Sequence, residues 1–186
     1  MARNQLRIIA GQWRGRKLSF ADVEGLRPTP DRVRETLFNW LAPMIEGARC
    51  LDLFAGSGAL GLEALSRGAA EVVMLDQSAK VVRQLKDNLQ LLACNRATVL
   101  QKEALSYLQQ PSETGFDIVF LDPPYRKQLL SPCIAQLSQQ QWVNPGARIY
   151  LELESKAELP ILPDNWELTR SKKAGQVAYH LAIVRV

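Results

Sequence analysis

Short apolar runs and helix-like apolar spacing take turns along most of the chain. The runs favour buried strands at 50–54, 71–75, 97–100, 116–121 and 147–153, and the spaced apolar residues favour helices at 59–66, 79–92, 104–108 and 128–140. Strands that alternate with helices indicate a doubly wound, mostly parallel α/β sheet. A closing strand pair at 166–170 and 177–186, around Gly175, would add an antiparallel edge.

The first 47 residues follow a different pattern. Residues 5–20 combine β-branched and aromatic residues with Gly11 and Gly15, which favours a β-hairpin. Thr29 can serve as a helix N-cap with Pro30 in the first helical position. The apolar face of that helix would consist of Val33, Leu37, Phe38, Leu41 and Ile45. The sequence therefore predicts a hairpin-plus-helix extension over 1–47 and a main domain over 48–186.

A glycine-rich loop follows the first strand of the main domain. Gly56, Gly58 and Gly61 form G-x-G-x-x-G between a predicted strand and a predicted helix, where glycines let the backbone approach a ligand. Asp76 ends the next strand 20 residues after Gly56, at the spacing typical of a carboxylate that binds ribose hydroxyls. The pattern predicts a site for an adenosine-containing cofactor.

Two residues beside the loop favour S-adenosylmethionine over a dinucleotide. These residues are Asp52 and Phe54. The Asp52 carboxylate would repel a pyrophosphate but can bond an ammonium group. It can also support the loop by accepting hydrogen bonds. The cofactor contacts expected from this region are Asp52, Phe54, Ala55, Gly56, Ser57, Gly58, Asp76 and Gln77.

A second candidate site follows the strand predicted at 116–121. It consists of Asp122, Pro123, Pro124 and Tyr125, which should face the same crevice because ligands bind outside the carboxyl ends of parallel strands. The Asp122 carboxylate and the Pro123 carbonyl are two acceptors, and Tyr125 offers a ring for stacking on a base. Together they suit a planar, amino-bearing group.

Charge is concentrated at the start of the chain. The 186 residues carry a net charge of +4, and residues 1–34 alone carry +5. A basic segment can bind a polyanion by releasing counterions, although it can also be a solvated terminus. The candidate RNA contacts are Arg7, Trp13, Arg14, Arg16, Lys17, Arg27, Arg32 and Arg34.

The remaining composition bears on compartment and metal content. Three separated cysteines and one histidine form no metal-binding pattern, so we expect no metal site. The chain lacks an apolar run long enough to span a bilayer, and we expect a cytoplasmic protein that does not associate with membranes.

Several stretches resemble one known family. Residues 7–18, 27–29, 31–41, 52–58, 122–125 and 175–179 are similar to the bacterial 16S rRNA guanine-N2 methyltransferases of the RsmD type, within the class I amino methyltransferases. The resemblance implies a Rossmann-like fold, S-adenosylmethionine as cofactor, a monomer, and guanine-966 of 16S rRNA in a small-subunit particle as target. It also implies that Asp122, Pro123, Pro124 and Tyr125 are catalytic. It adds Thr29, Glu103 and Ala104 to the cofactor contacts, although related enzymes more often carry Asp or Asn where Glu103 stands.

Other functions remain open at this stage. The same scaffold could methylate adenine N6 in a nucleic acid or a protein glutamine. The glycine loop alone would also fit a nicotinamide-dependent oxidoreductase, and the basic segment alone an RNA-binding module without catalysis.

Overall fold

The elements alternate as the sequence predicts. The structure is a computed structural model that describes residues 4–125, 127–139 and 141–186. Its strands are β1 (Gln5–Arg7), β2 (Lys17–Ser19), β3 (Arg49–Asp52), β4 (Glu71–Asp76), β5 (Ala97–Gln101), β6 (Phe116–Leu121), β7 (Val143–Glu154), β8 (Trp166–Ala174) and β9 (Val177–Val184). Its helices are α1 (Asp31–Leu41), α2 (Ala59–Ser66), α3 (Ala79–Leu91), α4 (Ala104–Leu108) and α5 (Leu130–Gln139).

One sheet organises the molecule, with strand order β5-β4-β3-β6-β7-β9-β8. Strands β3 to β7 pair in parallel, whereas β9 runs antiparallel to β7, and β8 antiparallel to β9. The predicted mostly parallel sheet with an antiparallel end is confirmed. The chain winds outward from β3 to β5 and then returns to β6 on the other side of β3. The carboxyl ends of β3 and β6 therefore border the switch point where such sheets bind ligands.

Several boundaries differ from the sequence prediction. Strand β7 begins at Val143 rather than at 147, because Pro145 and Gly146, which favour a turn, are accommodated where the β6–β7 register shifts. Helix α1 begins at Asp31 with Pro30 in the N-cap position and no side-chain cap. The hydroxyl of Thr29, the predicted cap, donates to Asp122 instead. The helix predicted over 128–140 spans Leu130–Gln139, and residue 140 lies outside the described residues.

The sheet is covered on both faces. One face packs under β1, β2, α1, α2 and α3, and the other packs under α4 and α5. Leu6, Ile8 and Leu18 of the N-terminal hairpin are buried in the same core as Leu62 and Leu65 of α2. The division at residue 47 stays a prediction, since the two parts share this core. In the described ranges, none of the helices has the length and apolar character needed to cross a membrane.

Glu63 of α2 anchors the N-terminal segment to the main sheet. Its buried carboxylate accepts hydrogen bonds from the backbone N–H groups of Ile9 (2.9 Å) and Ala10 (3.0 Å). It also pairs with Arg34 at 3.4 Å and with Arg67 at 2.8 Å. One turn later, Ser66 accepts from the Trp13 N–H and donates to the Ala10 carbonyl. These contacts hold the segment after β1 against α2.

Arg34 and Trp13 were expected to contact RNA, and the structure contradicts both expectations. The Arg34 side chain is 1% exposed and bonds Asp31, Glu63 and the carbonyls of Arg7 and Thr29. Trp13 is 7% exposed, and the guanidinium of Arg96 lies over its ring. Burial in the shared core leaves neither side chain free to reach a nucleotide.

The buried Glu63–Arg34 pair predicts a large stability effect. Glu63→Gln keeps the side-chain shape but leaves Arg34 with only Asp31 as a charged partner. We expect the free energy of unfolding to fall by about 3 kcal/mol, because a buried charge loses its compensation. Urea denaturation measures the change.

The matched control is Glu35→Gln on the exposed side of α1, which should change stability by less than about 0.5 kcal/mol. Equal stabilities for the two variants would show that the Glu63 carboxylate does not anchor the segment.

Candidate active site

The glycine loop between β3 and α2 has the backbone form that a ligand cradle requires. Gly56 and Gly58 have φ values of 52° and 80°, in the left-handed region that glycine tolerates, and Gly58 occupies the N-cap of α2. Gly61 permits a close approach, since a Cβ there would lie 2.6 Å from the Met74 sulfur of β4. The three glycines of the motif therefore turn the loop and seat α2 on the sheet.

Asp76, at the end of β4, is tied to this loop. One carboxylate oxygen accepts from the Gly56 N–H at 3.1 Å, and the other accepts from the Ser78 N–H at 2.8 Å. Each oxygen keeps a further lone pair for an outside donor. The side chain is thus fixed beside the loop in a form that can accept hydroxyl groups.

Asp52 ends β3 beneath the loop and is almost fully buried. Its Oδ2 accepts from the Gly61 N–H at 3.2 Å, whereas its Oδ1 has no hydrogen-bond partner among the described residues. Burial raises the pKa of Asp52 to about 7, although the N–H groups of Gly61 and Phe54 lower it. Because a buried carboxylate oxygen without a donor favours a cationic ligand, the site fits the positively charged S-adenosylmethionine.

The tetrapeptide of Asp122, Pro123, Pro124 and Tyr125 leaves the carboxyl end of β6. Pro123 is buried, and Tyr125 is 41% exposed. The Thr29 hydroxyl donates to Asp122 Oδ2 at 3.3 Å, across 93 positions of sequence. Thr29 was expected as a cofactor contact, and the structure places it against the second candidate site.

Sheet register aligns three acidic side chains on one face. Asp52 pairs with Phe120 of β6, and Phe120 pairs with Tyr150 of β7. Asp122 and Glu152 each lie two residues beyond those partners, so all three carboxyl groups share the face that α1 covers. Glu152 was missed by the sequence analysis. The available signal was an acid between two leucines, Leu151 and Leu153, in the buried part of the strand, a position that ionisable residues rarely occupy without a partner.

Burial and like charge shape the electrostatics of this face. Burial raises the pKa of Asp122 well above its ordinary value, the charges of Glu152 and Asp52 raise it further, and the Thr29 hydrogen bond opposes them. Burial also raises the pKa of Glu152, whereas the hydroxyls of Tyr150, Thr29 and Tyr125 lower it. The pKa of Tyr125 is raised by burial and by the neighbouring carboxylates. The site therefore favours positive charge.

The other expected cofactor contacts sit at the same edge of the sheet. Gln77 is exposed directly after β4, and its carbonyl accepts from Gln101 at 3.2 Å. Glu103 follows β5 as the N-cap of α4, where it accepts from the Ser106 N–H at 3.0 Å and the Ser106 hydroxyl at 2.6 Å. Ala104 behind it is buried. Capping occupies one oxygen of Glu103, so contact with an adenine amine stays a prediction.

The remaining basic candidates are at the surface. They are exposed in the structure and comprise Arg7, Arg14, Arg16, Lys17, Arg27 and Arg32. Arg14 and Arg16 lie in the connection between β1 and β2, and Lys17 begins β2. An RNA backbone can reach all six without unfolding of the hairpin.

Comparisons with known proteins agree with this geometry. The family described as Conserved hypothetical protein 95 matches residues 6–183. The ribosomal RNA small subunit methyltransferase D of Escherichia coli is 55% identical over 95% of this chain and 89% of its own length. The chain belongs to this methyltransferase family. Its Haemophilus influenzae relative of the same name is 50% identical over 97% of this chain and 94% of its own length.

The fold comparison supports the same assignment. The solved structure of the methyltransferase yhhF from Escherichia coli has a TM-score of 0.91 and 51% identity, covering 97% of this chain and 98% of that one. The expected family and the class I methyltransferase fold are both confirmed.

Asp76 provides the test of the cofactor half of the site. Asp76→Ala should weaken S-adenosylmethionine binding by about 1.5–3 kcal/mol, the value of one charge-assisted hydrogen bond. This corresponds to roughly a tenfold to hundredfold rise in Kd, measured by calorimetry. The control is Asp87→Ala on the exposed side of α3, which should bind as the parent does. Unchanged affinity in a folded Asp76→Ala protein would remove this side chain from the cofactor site.

Proposed function

We propose that this methyltransferase modifies the exocyclic N2 of guanine-966 in 16S rRNA, within a small-subunit particle. The observation that carries the proposal is the Asp122–Tyr125 segment at the carboxyl end of β6, beside the glycine loop and in contact with Thr29. The names of the relatives supply the class of substrate, since they are ribosomal RNA small subunit methyltransferases. Because the proposed substrate is ribosomal, we expect a cytoplasmic enzyme, and we expect it to act as a monomer.

The segment has the chemistry that an aromatic amine needs. The N2 lone pair of guanine is delocalised into the ring, so the amine is a weak nucleophile. Asp122 and the Pro123 carbonyl can accept its two N–H groups, which orients the lone pair away from them. The negative charge of Asp122 then stabilises the positive charge that develops on nitrogen during transfer. The exposed ring of Tyr125 can stack on the base.

The cofactor half of the site would hold the methyl donor that reacts with this amine. When bound, S-adenosylmethionine offers a methyl group on a positively charged sulfur. Asp76 at the end of β4 and the loop from Asp52 to Gly58 would hold its nucleoside and amino-acid ends. The loop follows β3, the strand that lies between β4 and β6. Holding both reactants in this way removes much of the entropic barrier, by up to about 7–11 kcal/mol in favourable cases.

The identity of the acceptor atom is testable directly. Purified enzyme is incubated with tritiated S-adenosylmethionine and with small-subunit particles or free 16S rRNA that lack the modification. Nucleoside analysis of the RNA and amino-acid analysis of the protein then locate the label. We expect label in N2-methylguanosine. Label in N6-methyladenosine or in protein glutamine would contradict the proposal and support the corresponding amino methyltransferase.

Asp122→Asn tests the charge on the acceptor. Asn keeps the shape and one acceptor oxygen but removes the negative charge that faces the developing cation. We expect single-turnover methylation to slow by about 10²–10³-fold, the scale for one preorganised electrostatic contact. Cofactor affinity should change by less than about tenfold, because Asp76 and the glycine loop stand on other strands.

The Asp87→Asn variant should react at the parental rate. A full rate in Asp122→Asn would mean that Asp122 only supports the turn after β6 and that another group accepts the amine.

The exposed basic residues predict a salt-dependent RNA interaction. Replacing Arg14, Arg16 and Lys17 by Ala should weaken RNA binding and reduce the log–log salt slope by about 0.7–0.9 for each lost phosphate contact. A filter-binding titration at several salt concentrations measures both quantities. Replacing Lys156 and Glu158 by Ala, at the exposed turn after β7, removes charge elsewhere and should leave the slope unchanged. An unchanged slope in the triple variant would identify the cluster as a solvated surface.

A further inference from the structure

Glu152 occupies a position in the site that the amine chemistry above does not use. It is 4% exposed, and the Tyr150 hydroxyl donates to its Oε2 at 2.7 Å. Leu121, the last residue of β6, pairs with Leu151 of β7. Asp122 follows directly after β6, next to Glu152, whose charge acts on it. The Thr29 hydroxyl donates to Asp122, and its hydrogen bonding also lowers the pKa of Glu152.

This arrangement limits how many protons Asp122, Glu152 and Thr29 can share. Thr29 has one hydroxyl proton and can donate it to only one of the two carboxyl groups at a time. Glu152 is buried and Asp122 is half-buried. Two neighbouring carboxylates with so little access to water cannot both be ionised without an electrostatic penalty. A proton held by either acid would relieve the repulsion and let that acid donate to the Thr29 oxygen.

We propose that Asp122 and Glu152 form a carboxyl pair that holds one proton in the ligand-free enzyme, with Glu152 as the positioning residue that sets the ionisation of Asp122. This inference rests on the proposed amine acceptor but not on the identity of the methylated nucleoside. The raised pKa values of both side chains agree with it.

The pair keeps the charge of the site constant. Free, the pair carries one proton and a charge of −1. Beside a bound sulfonium of charge +1 it carries no proton and a charge of −2, which leaves −1 for the two together. When the amine nitrogen bonds the methyl carbon, the C–S electron pair stays on the sulfur, which becomes neutral. The nitrogen loses one proton to Asp122, and the pair returns to −1.

Thr29 can pass that proton onward. Protonated Asp122 donates to the Thr29 oxygen while the Thr29 hydroxyl donates its own proton to Glu152. No proton is gained or lost in this exchange, and Asp122 is restored as a carboxylate. Other groups that face the pair are Asp52 of β3, Tyr125 after β6, Tyr150 and Glu154 of β7, and Tyr179 of β9.

Calorimetry in two buffers of different ionisation enthalpy counts the protons released on binding. S-adenosylmethionine and S-adenosylhomocysteine differ in the charge on sulfur, so their difference isolates the response to that charge. At neutral pH we expect the parent to release more protons with S-adenosylmethionine than with S-adenosylhomocysteine. In Glu152→Gln the difference should shrink, because removal of the neighbouring charge lowers the pKa of Asp122 and leaves it already ionised.

A second readout separates this role from a purely structural one. Since methylation requires ionised Asp122, the acid limb of the pH–rate profile should move to lower pH in Glu152→Gln, and the maximal rate should fall by about 10–100-fold through loss of orientation. Tyr150→Phe removes a hydrogen bond to the Glu152 carboxylate, so it should move the proton release to higher pH. It also serves as the test should Glu152→Gln fail to fold.

The control is Glu158→Gln, an exposed acid beyond β7, which should match the parent in both measurements. Equal proton release for the two ligands in the parent would overturn the proposal. So would an unmoved acid limb in Glu152→Gln, even if its rate fell, or no shift in Tyr150→Phe. A parent that shows the proton difference but methylates another atom would contradict the proposed function and leave the carboxyl pair supported.

Discussion

The structure depends on one buried guanidinium. Arg34 joins Asp31 at the start of α1, Glu63 in the middle of α2, and the carbonyls of Arg7 and Thr29. A buried cation must be surrounded by acceptors, and here the acceptors come from three separate parts of the chain. The same residue therefore fixes the hairpin, the first helix and the helix that follows the glycine loop. Its bond to the Thr29 carbonyl also places the Thr29 hydroxyl on Asp122.

That arrangement brings the two halves of the site together. The proposed cofactor contacts lie on β3, on β4 and in the loop that leads into α2, whereas the proposed amine acceptors lie after β6. Helix α2 links them, because Gly61 in its first turns donates to Asp52 and Glu63 two residues later holds Arg34. A displacement of α2 would move the glycine loop and the Thr29 segment at once. The relative position of the two proposed halves therefore depends on packing between a helix and an N-terminal extension as well as on the sheet.

Local patterns predicted the parts of the fold that local physics decides. The alternation of strands and helices, the glycine loop and Asp76 depend on residues close in sequence, and all are found where the pattern put them. Arg34 and Trp13 could not be placed in this way. Arginine is usually exposed and Trp13 stands among basic residues, whereas the packing of α1 and the hairpin on α2 buries both side chains. The role of Glu152 could not be predicted from the sequence for a related reason. Its neighbour Asp122 follows another strand, β6, and their proximity depends on the β6–β7 register, which shifts between Phe116 and Ile118.

The Thr29 segment connects the proposed RNA-binding arginines with the proposed catalytic tetrapeptide, which lies far from them in sequence. Thr29 is 5% exposed and turned inward to Asp122, while Arg27 and Arg32 on either side of it are exposed. A phosphate bound by these arginines would lie directly outside the buried contact. RNA binding and alignment of the amine acceptor would then act on the same short stretch of backbone. Because Pro28 and Pro30 restrict that backbone, little of the binding free energy would be lost in ordering it.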